Sequence, residues 1–125
     1  MYKVEDLKEI LEPVLIQYMD NKKILKKIIK YIDKIILYVN DTNYNNFIKD
    51  EKLQDACLMN LSQIGESIIE IEDSFINEHK EIKWKEMRGM RNIIVHDYDG
   101  VNLRIVWDTI KYDLPELRDN LYKLL

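Results

Sequence analysis

Three side chains that could act together in acid–base chemistry lie within the stretch RNIIVHDY, residues 91–98: Arg91, His96 and Tyr98. A histidine titrates near neutrality and can take up or release a proton during a reaction. An arginine stays charged and binds phosphate oxygens through two parallel hydrogen bonds. The chain has far more lysines than arginines, so an arginine here indicates a need for bidentate geometry.

This pair is suited to cleaving RNA without a metal ion. His96 would take the 2′-hydroxyl proton or protonate the leaving oxygen, Arg91 would hold the scissile phosphate, and Asn92 could donate a further hydrogen bond. A structural explanation is also open, because the helix dipole stabilises a histidine at a helix C-terminus and Arg91 could simply pair with an acid. The spacing alone does not decide between the two.

The spacing also constrains how the two side chains can meet. Five residues advance an ideal helix by about 500°, so Arg91 and His96 would point about 140° apart. They can meet if the helix ends near Val95 and His96 turns back, or if a second subunit supplies a partner. The two arrangements are compatible, since a dimer could bring two Arg/His pairs to one cleft.

Other kinds of site are excluded by residues that the chain lacks. Its three glycines, at positions 65, 89 and 100, cannot build a glycine-rich phosphate loop. Two histidines and one cysteine make a metal site unexpected, and no cofactor is indicated. Cys57 cannot form an internal disulfide and is expected in the core rather than as a nucleophile.

The elements that must position these residues are helices, because Gly and Pro are scarce. Apolar residues recur at helical spacing along most of the chain, and from Cys57 to Phe75 they follow steps of four and three. We therefore predict an all-α bundle of four or five helices. The predicted helical segments are 4–18 interrupted at Pro13, 22–40, 50–75, 84–95, and 103–124 kinked or restarted at Pro115.

Near the motif, the pattern makes finer predictions. Trp84, Met87 and the run Ile93–Val95 should face the core, with Ile94 and Val95 holding the helix end. Gly100 is suited to a left-handed backbone conformation and Asn102 to a helix N-cap. Trp107 is expected in the core rather than as a platform for stacking bases.

Charge and hydropathy bear on partners and location. The net charge is −4, but residues 1–21 carry −3 and residues 22–34 carry +5. The lysines of 22–34 form either a solvated face or an RNA-contacting face. No apolar run approaches the roughly 20 residues of a membrane span, and residues 1–10 lack the apolar core of a signal peptide. We expect a cytoplasmic protein that does not enter a membrane.

The stretch GMRNIIVHDYDGVNLRIVWDTIKYDLPELRDNL, residues 89–121, strongly resembles the HEPN-domain toxins of the HepT type, with their Arg, four residues, His, one residue, Tyr. Further matching stretches are QIGES (63–67), EIKWKEMRGMRN (81–92) and FIKDEKLQDACLMNL (47–61). The resemblance implies a HEPN domain over 19–125 and an extra helical segment over 1–18. That segment is similar to the opening helix of minimal nucleotidyltransferases but lacks their transferase motifs, and its role is unassigned.

The resemblance also implies a function. It implies a homodimeric, metal-independent ribonuclease toxin, acting on RNA such as tRNA, with catalytic Arg91 and His96 and accessory Asn92. Its partner would be a minimal nucleotidyltransferase antitoxin of the MntA type, which inactivates the toxin by transferring AMP to Tyr98. Without the resemblance, Tyr98 reads as a half-buried residue at a helix end.

Two alternatives remain open at the level of sequence. Glu66 is an accessory candidate that could orient Arg91 or His96, or could instead face solvent or a second subunit. A rival function is a non-catalytic subunit that presents a substrate to its nucleotidyltransferase.

Overall fold

The computed structural model describes residues 3–125, and within them the chain is entirely helical and turn, as the sequence predicts. Seven α-helices follow one another, with a 3-10 turn at Tyr98–Gly100 and a π-helical turn at Thr109–Asp113. The α-helices are α1 (Val4–Tyr38), α2 (Tyr44–Phe47), α3 (Glu51–Ile69), α4 (Asp73–Glu78), α5 (Trp84–His96), α6 (Leu103–Asp108) and α7 (Leu114–Lys123).

Helix α3 is the centre of the bundle and packs against both α1 and α5. Its apolar seam is fully buried at Cys57, Leu61, Ile64 and Ile68, which confirms the predicted core position of the cysteine. Burial raises the pKa of the Cys57 thiol to about 12, so the thiol stays protonated and is a poor nucleophile.

Helices α6 and α7 are joined through the π-helical turn, and α6 packs against α2 while α7 packs against α1. Arg118 donates to Asp33 across this contact at 2.5 Å, and Trp107 packs its ring 5.2 Å from that of Phe47. Asn102 caps α6 by accepting from the backbone N–H groups of Arg104 and Ile105, as predicted. Trp84, Met87 and Trp107 are buried, also as predicted.

Four predictions about the backbone and core are wrong. The helix over 50–75 ends at Ile69, and Phe75 lies on α4. Pro13 lies inside an uninterrupted α1, because an exposed carbonyl that loses its helical donor can bond to water. Gly100 has no positive φ. Ile93 and Val95 are 53% and 51% exposed, because only Ile94 of the run Ile93–Val95 lies on the buried face of α5.

The segment 1–18, predicted as an addition, falls within α1 from Val4 onward, while Met1 and Tyr2 lie outside the described residues. Helix α1 continues through residues 18 and 19 without a break. No helix within residues 3–125 has both the length and the apolar character that crossing a bilayer requires.

Gly65 lets α3 and α5 approach closely. A Cβ atom there would lie 2.2 Å from the Cβ of Arg91 and 3.0 Å from the carbonyl oxygen of Met87. The nearest obstacle is the root of a side chain, so it can move only if the helix moves. The helix that carries the motif therefore depends on the absence of a side chain at position 65.

We predict that Gly65→Ala lowers the free energy of unfolding by about 1–3 kcal/mol, because the added methyl forces the helices apart. Gly89→Ala is the matched control: a Cβ there meets no atom within 4 Å. In a helix it should stabilise by roughly 0.5–1 kcal/mol. Urea unfolding measures both, and an equally stable Gly65→Ala protein would contradict the close approach.

Candidate functional site

The motif residues lie along the C-terminal half of α5 and the turn after it, beside α3. Two contacts fix the antiparallel register of these helices: Gly65 meets Arg91, and Asp55 meets Tyr98. The motif therefore spans about ten residues of α3. Met59 lies on α3 between the two contacts, and its side chain is 61% exposed.

The Arg91 guanidinium is held in a fixed orientation. Its Nε donates to Glu66 Oε1 at 2.6 Å, and Nη2 lies 2.5 Å from the same oxygen. Its Nη1 donates to Asn92 Oδ1 at 2.9 Å. The open alternatives for Glu66 are thus resolved in part: this carboxylate pairs with Arg91.

These bonds leave part of the guanidinium free. Arginine has five N–H groups, and three are engaged. One N–H remains on each terminal nitrogen, and the Arg91 side chain is 23% exposed. A guanidinium that keeps an N–H on each terminal nitrogen can still donate to the oxygens of a phosphate.

His96 is the last residue of α5 and is exposed. Within residues 3–125, no side chain forms a hydrogen bond or ion pair with its imidazole. Because α5 stays helical through His96, helix geometry sets the Cβ directions of Arg91 and His96 about 140° apart within one chain. A single chain therefore does not bring the two together.

Tyr98 follows in the 3-10 turn and is 44% exposed. Its hydroxyl donates to the Asp55 carboxylate of α3. Partial burial, that hydrogen bond and the negative charges of Asp55 and Asp99 raise the pKa of Tyr98 to about 12. A pocket of about 360 Å³ adjoins the phenol and is lined by Asp55, Tyr98 and Asp99 among others.

Asp55 and Gly65 are the two residues of this site to which the sequence assigned no role. The sequence did give one indication that Gly65 matters, because it is one of only three glycines and lies inside a long apolar helix. The sequence gave no indication for Asp55, because it is 43 positions from Tyr98 along the chain. Among residues 3–125, no three His, Cys, Asp or Glu side chains are grouped so that they could hold a metal ion.

The chain matches the family model described as Ribonuclease HepT-like over residues 28–124. It belongs to the HepT-like family. This assignment confirms the resemblance drawn from RNIIVHDY and its flanks.

Three relatives illustrate the similarity. A Thermococcus cleftensis protein named as a probable ribonuclease HepT is 36% identical over 104 residues, covering 83% of this chain and 94% of that protein. A candidate RNase of Methanocaldococcus jannaschii is 34% identical, covering 85% and 91%. One of Caldanaerobacter subterraneus subsp. tengcongensis is 35% identical, covering 81% and 90%. No solved structure matches the chain significantly.

The geometry predicts a separate titration for Tyr98. A tyrosine whose folded pKa is raised keeps its stabilising contribution below the unfolded value near 10 and loses it as pH rises through about 12. The tyrosinate absorbance of wild type minus Tyr98→Phe should therefore rise with a midpoint near 12.

The control for this titration is Asp55→Asn, which removes the charge and keeps the size of the side chain. It should move the midpoint back toward 10. A wild-type midpoint already near 10 would contradict the contact between Tyr98 and Asp55.

Proposed function

We propose that this HepT-like chain is a metal-independent ribonuclease, the toxin of a toxin–antitoxin pair, acting on RNA such as tRNA. The observation that carries the proposal is the state of Arg91. Its guanidinium is oriented by Glu66 and Asn92, yet keeps one N–H on each terminal nitrogen. The guanidinium is thus oriented within the chain and can still donate to an RNA phosphate.

We further propose that the active form is a homodimer whose two motifs share one cleft. Arg91 and His96 diverge within a chain, so each needs its counterpart from a second copy. The surface around them suits such pairing, because Ile93, Val95 and Met59 are all more than half exposed. Exposed apolar residues grouped around a polar site favour association between proteins.

A paired cleft supplies every group that the cleavage needs. One His96 takes the proton from a ribose 2′-hydroxyl while the 2′-oxygen forms a bond to phosphorus. The second His96 protonates the departing 5′-oxygen as its bond to phosphorus breaks. Arg91 holds the non-bridging oxygens and stabilises the charge that develops on them. The products are a 2′,3′-cyclic phosphate and a 5′-hydroxyl.

We expect Arg91→Ala and His96→Ala each to lower the rate of RNA cleavage by about 100-fold or more, since each removes a group acting in the transition state. Arg91→Lys should recover little of the cleavage rate, because an ammonium group does not present the planar set of donors that lets a guanidinium bind two phosphate oxygens at once. Arg88→Ala, one turn earlier on α5, is the matched control and should stay within a few-fold of wild type. Full activity in His96→Ala would overturn the proposal.

Tyr98 is proposed as the site at which a minimal nucleotidyltransferase partner inactivates the toxin with AMP. Its phenol is accessible and already donates to Asp55. In the transfer, the phenolic oxygen forms a bond to the α-phosphorus of ATP, pyrophosphate leaves, and Asp55 takes the proton. A phenol with a raised pKa is a weak nucleophile, so a carboxylate in contact with it has a clear use.

Modification at Tyr98 would act on the site in two ways. The added phosphate is negatively charged and repels RNA two residues from His96. The modified oxygen also cannot donate to Asp55, so the tie between α3 and the turn after His96 is lost.

After co-expression with the nucleotidyltransferase, we expect mass in multiples of AMP on the peptide that contains Tyr98 and none on it in Tyr98→Phe. Asp55→Asn should slow the transfer by at least about tenfold, because the proton loses its acceptor. Tyr112→Phe removes a tyrosine that is 71% exposed and should behave like wild type. AMP retained by Tyr98→Phe would refute the assignment.

A further inference from the structure

The first half of α1 carries a row of large apolar side chains that the rest of the described chain leaves uncovered. From Val4 to Val39 the row alternates steps of three and four along α1 and its C-cap, which is the spacing of a helix-pairing seam. From Leu25 onward every member is buried. The exposed members, called here the extension seam, are Val4 (69% exposed), Leu7 (42%), Leu11 (53%), Val14 (63%) and Tyr18 (52%).

Asn21 marks the point where the row passes from exposed to buried. It is 5% exposed, and its Oδ1 accepts from Gln17 Nε2 at 3.3 Å. One helix therefore presents the same seam in two environments: covered by the bundle after Asn21 and uncovered before it. The uncovered half also lies outside residues 28–124, the part that matches the family model.

Charge is distributed around the extension seam in a way that constrains its partner. All the acidic residues of 3–18 lie off the seam and off the positions that flank it: Glu5, Asp6, Glu9 and Glu12. The flanking positions hold apolar, neutral or basic residues: Lys3, Lys8, Ile10, Leu15 and Gln17. A second helix of the same sequence can therefore lie on the seam without bringing acid against acid.

We infer that the extension seam pairs with the extension seam of a second copy of this chain, with the two helices antiparallel. A parallel pair would set Lys3 of one copy beside Lys8 of the other, whereas an antiparallel pair separates them. Antiparallel pairing also brings the acidic start of each helix toward the lysine-rich segment 22–34 of its copy. Residues 1–21 carry −3 and residues 22–34 carry +5, so the two ends of the pair attract.

This surface is separate from the cleft proposed for catalysis. The extension seam lies on the first half of α1, and the motif lies on α5 beside α3. A result that contradicts the ribonuclease proposal would therefore leave the pairing proposal unaffected, and the reverse also holds. A chain that associates through both surfaces would form an assembly larger than a dimer.

Two substitutions on the same helix test the pairing. Leu11→Asp places a charge in the seam, and Ile16→Asp is the matched control. The two side chains are almost equally exposed, at 53% and 55%, but point about 140° apart. Sedimentation of the full chain should show self-association weakened by roughly tenfold or more in Leu11→Asp, because pairing would bury a charge. Ile16→Asp should remain within about threefold of wild type.

Three outcomes would overturn the pairing. One is a Leu11→Asp protein with the sedimentation of wild type. Another is an equal loss of self-association in both variants, since that would indicate non-specific hydrophobic association rather than pairing along the seam. The third is unchanged self-association combined with lost capture of the co-expressed nucleotidyltransferase, which would assign the seam to that partner. Thermal unfolding verifies that the bundle is intact, since both substitutions lie on the uncovered half of α1.

The relative orientation of the two paired helices is tested by measuring the distance between two spin labels. Each copy carries one label at position 5, introduced through Glu5→Cys on the exposed outer face of α1. Antiparallel pairing centred on Leu11 offsets the two labels by about 18 Å along the pair, given 1.5 Å of rise per residue, so that together with their separation across the pair they lie about 25 Å or more apart. Parallel pairing in register leaves only the separation across the pair, about 20 Å or less for two helices each about 10–12 Å wide. Distances in the shorter range would overturn the antiparallel arrangement.

Discussion

The close contact between α3 and α5 at Gly65 is the constraint on which the candidate site depends. With no side chain at that position, the backbone of α3 reaches the root of the Arg91 side chain. One residue further along α3, Glu66 then meets the guanidinium and fixes its orientation. The same register brings Asp55 to Tyr98 at the other end of the motif. A looser helix pair would keep the residues of RNIIVHDY but not their contacts.

Local signals predicted much of the fold. Periodic apolar residues predicted the seam of α3 with Cys57 in the core, and Asn102 predicted the start of α6. The break between α3 and α4 was missed because the apolar spacing continues across it, with Ile71 buried inside the break. The spacing of apolar residues predicts which side chains are buried, but it does not predict where the helix ends and the backbone turns.

The sequence predicted which residues form the candidate site, but it did not predict the contacts between them. The types and spacing of Arg91, His96 and Tyr98 indicated the chemistry, and the flanking residues indicated the family. The partner of Tyr98 was not predictable, since Asp55 is brought to it only by the packing of α5 on α3. Exposure of Val95 was missed for a related reason: a helix that buries one face leaves neighbouring apolar residues to solvent or to another subunit.

The most direct test of the shared cleft is to pair a wild-type copy with an inactive one. If one cleft uses both His96 residues, one as base and one as acid, a dimer of wild type with His96→Ala lacks one of the two groups. Co-expressed with different tags and purified through both, this mixed dimer should be nearly as inactive as the His96→Ala homodimer. A mixed dimer with about half of the wild-type rate would contradict the shared cleft, because that is the rate expected if each copy held a complete site of its own.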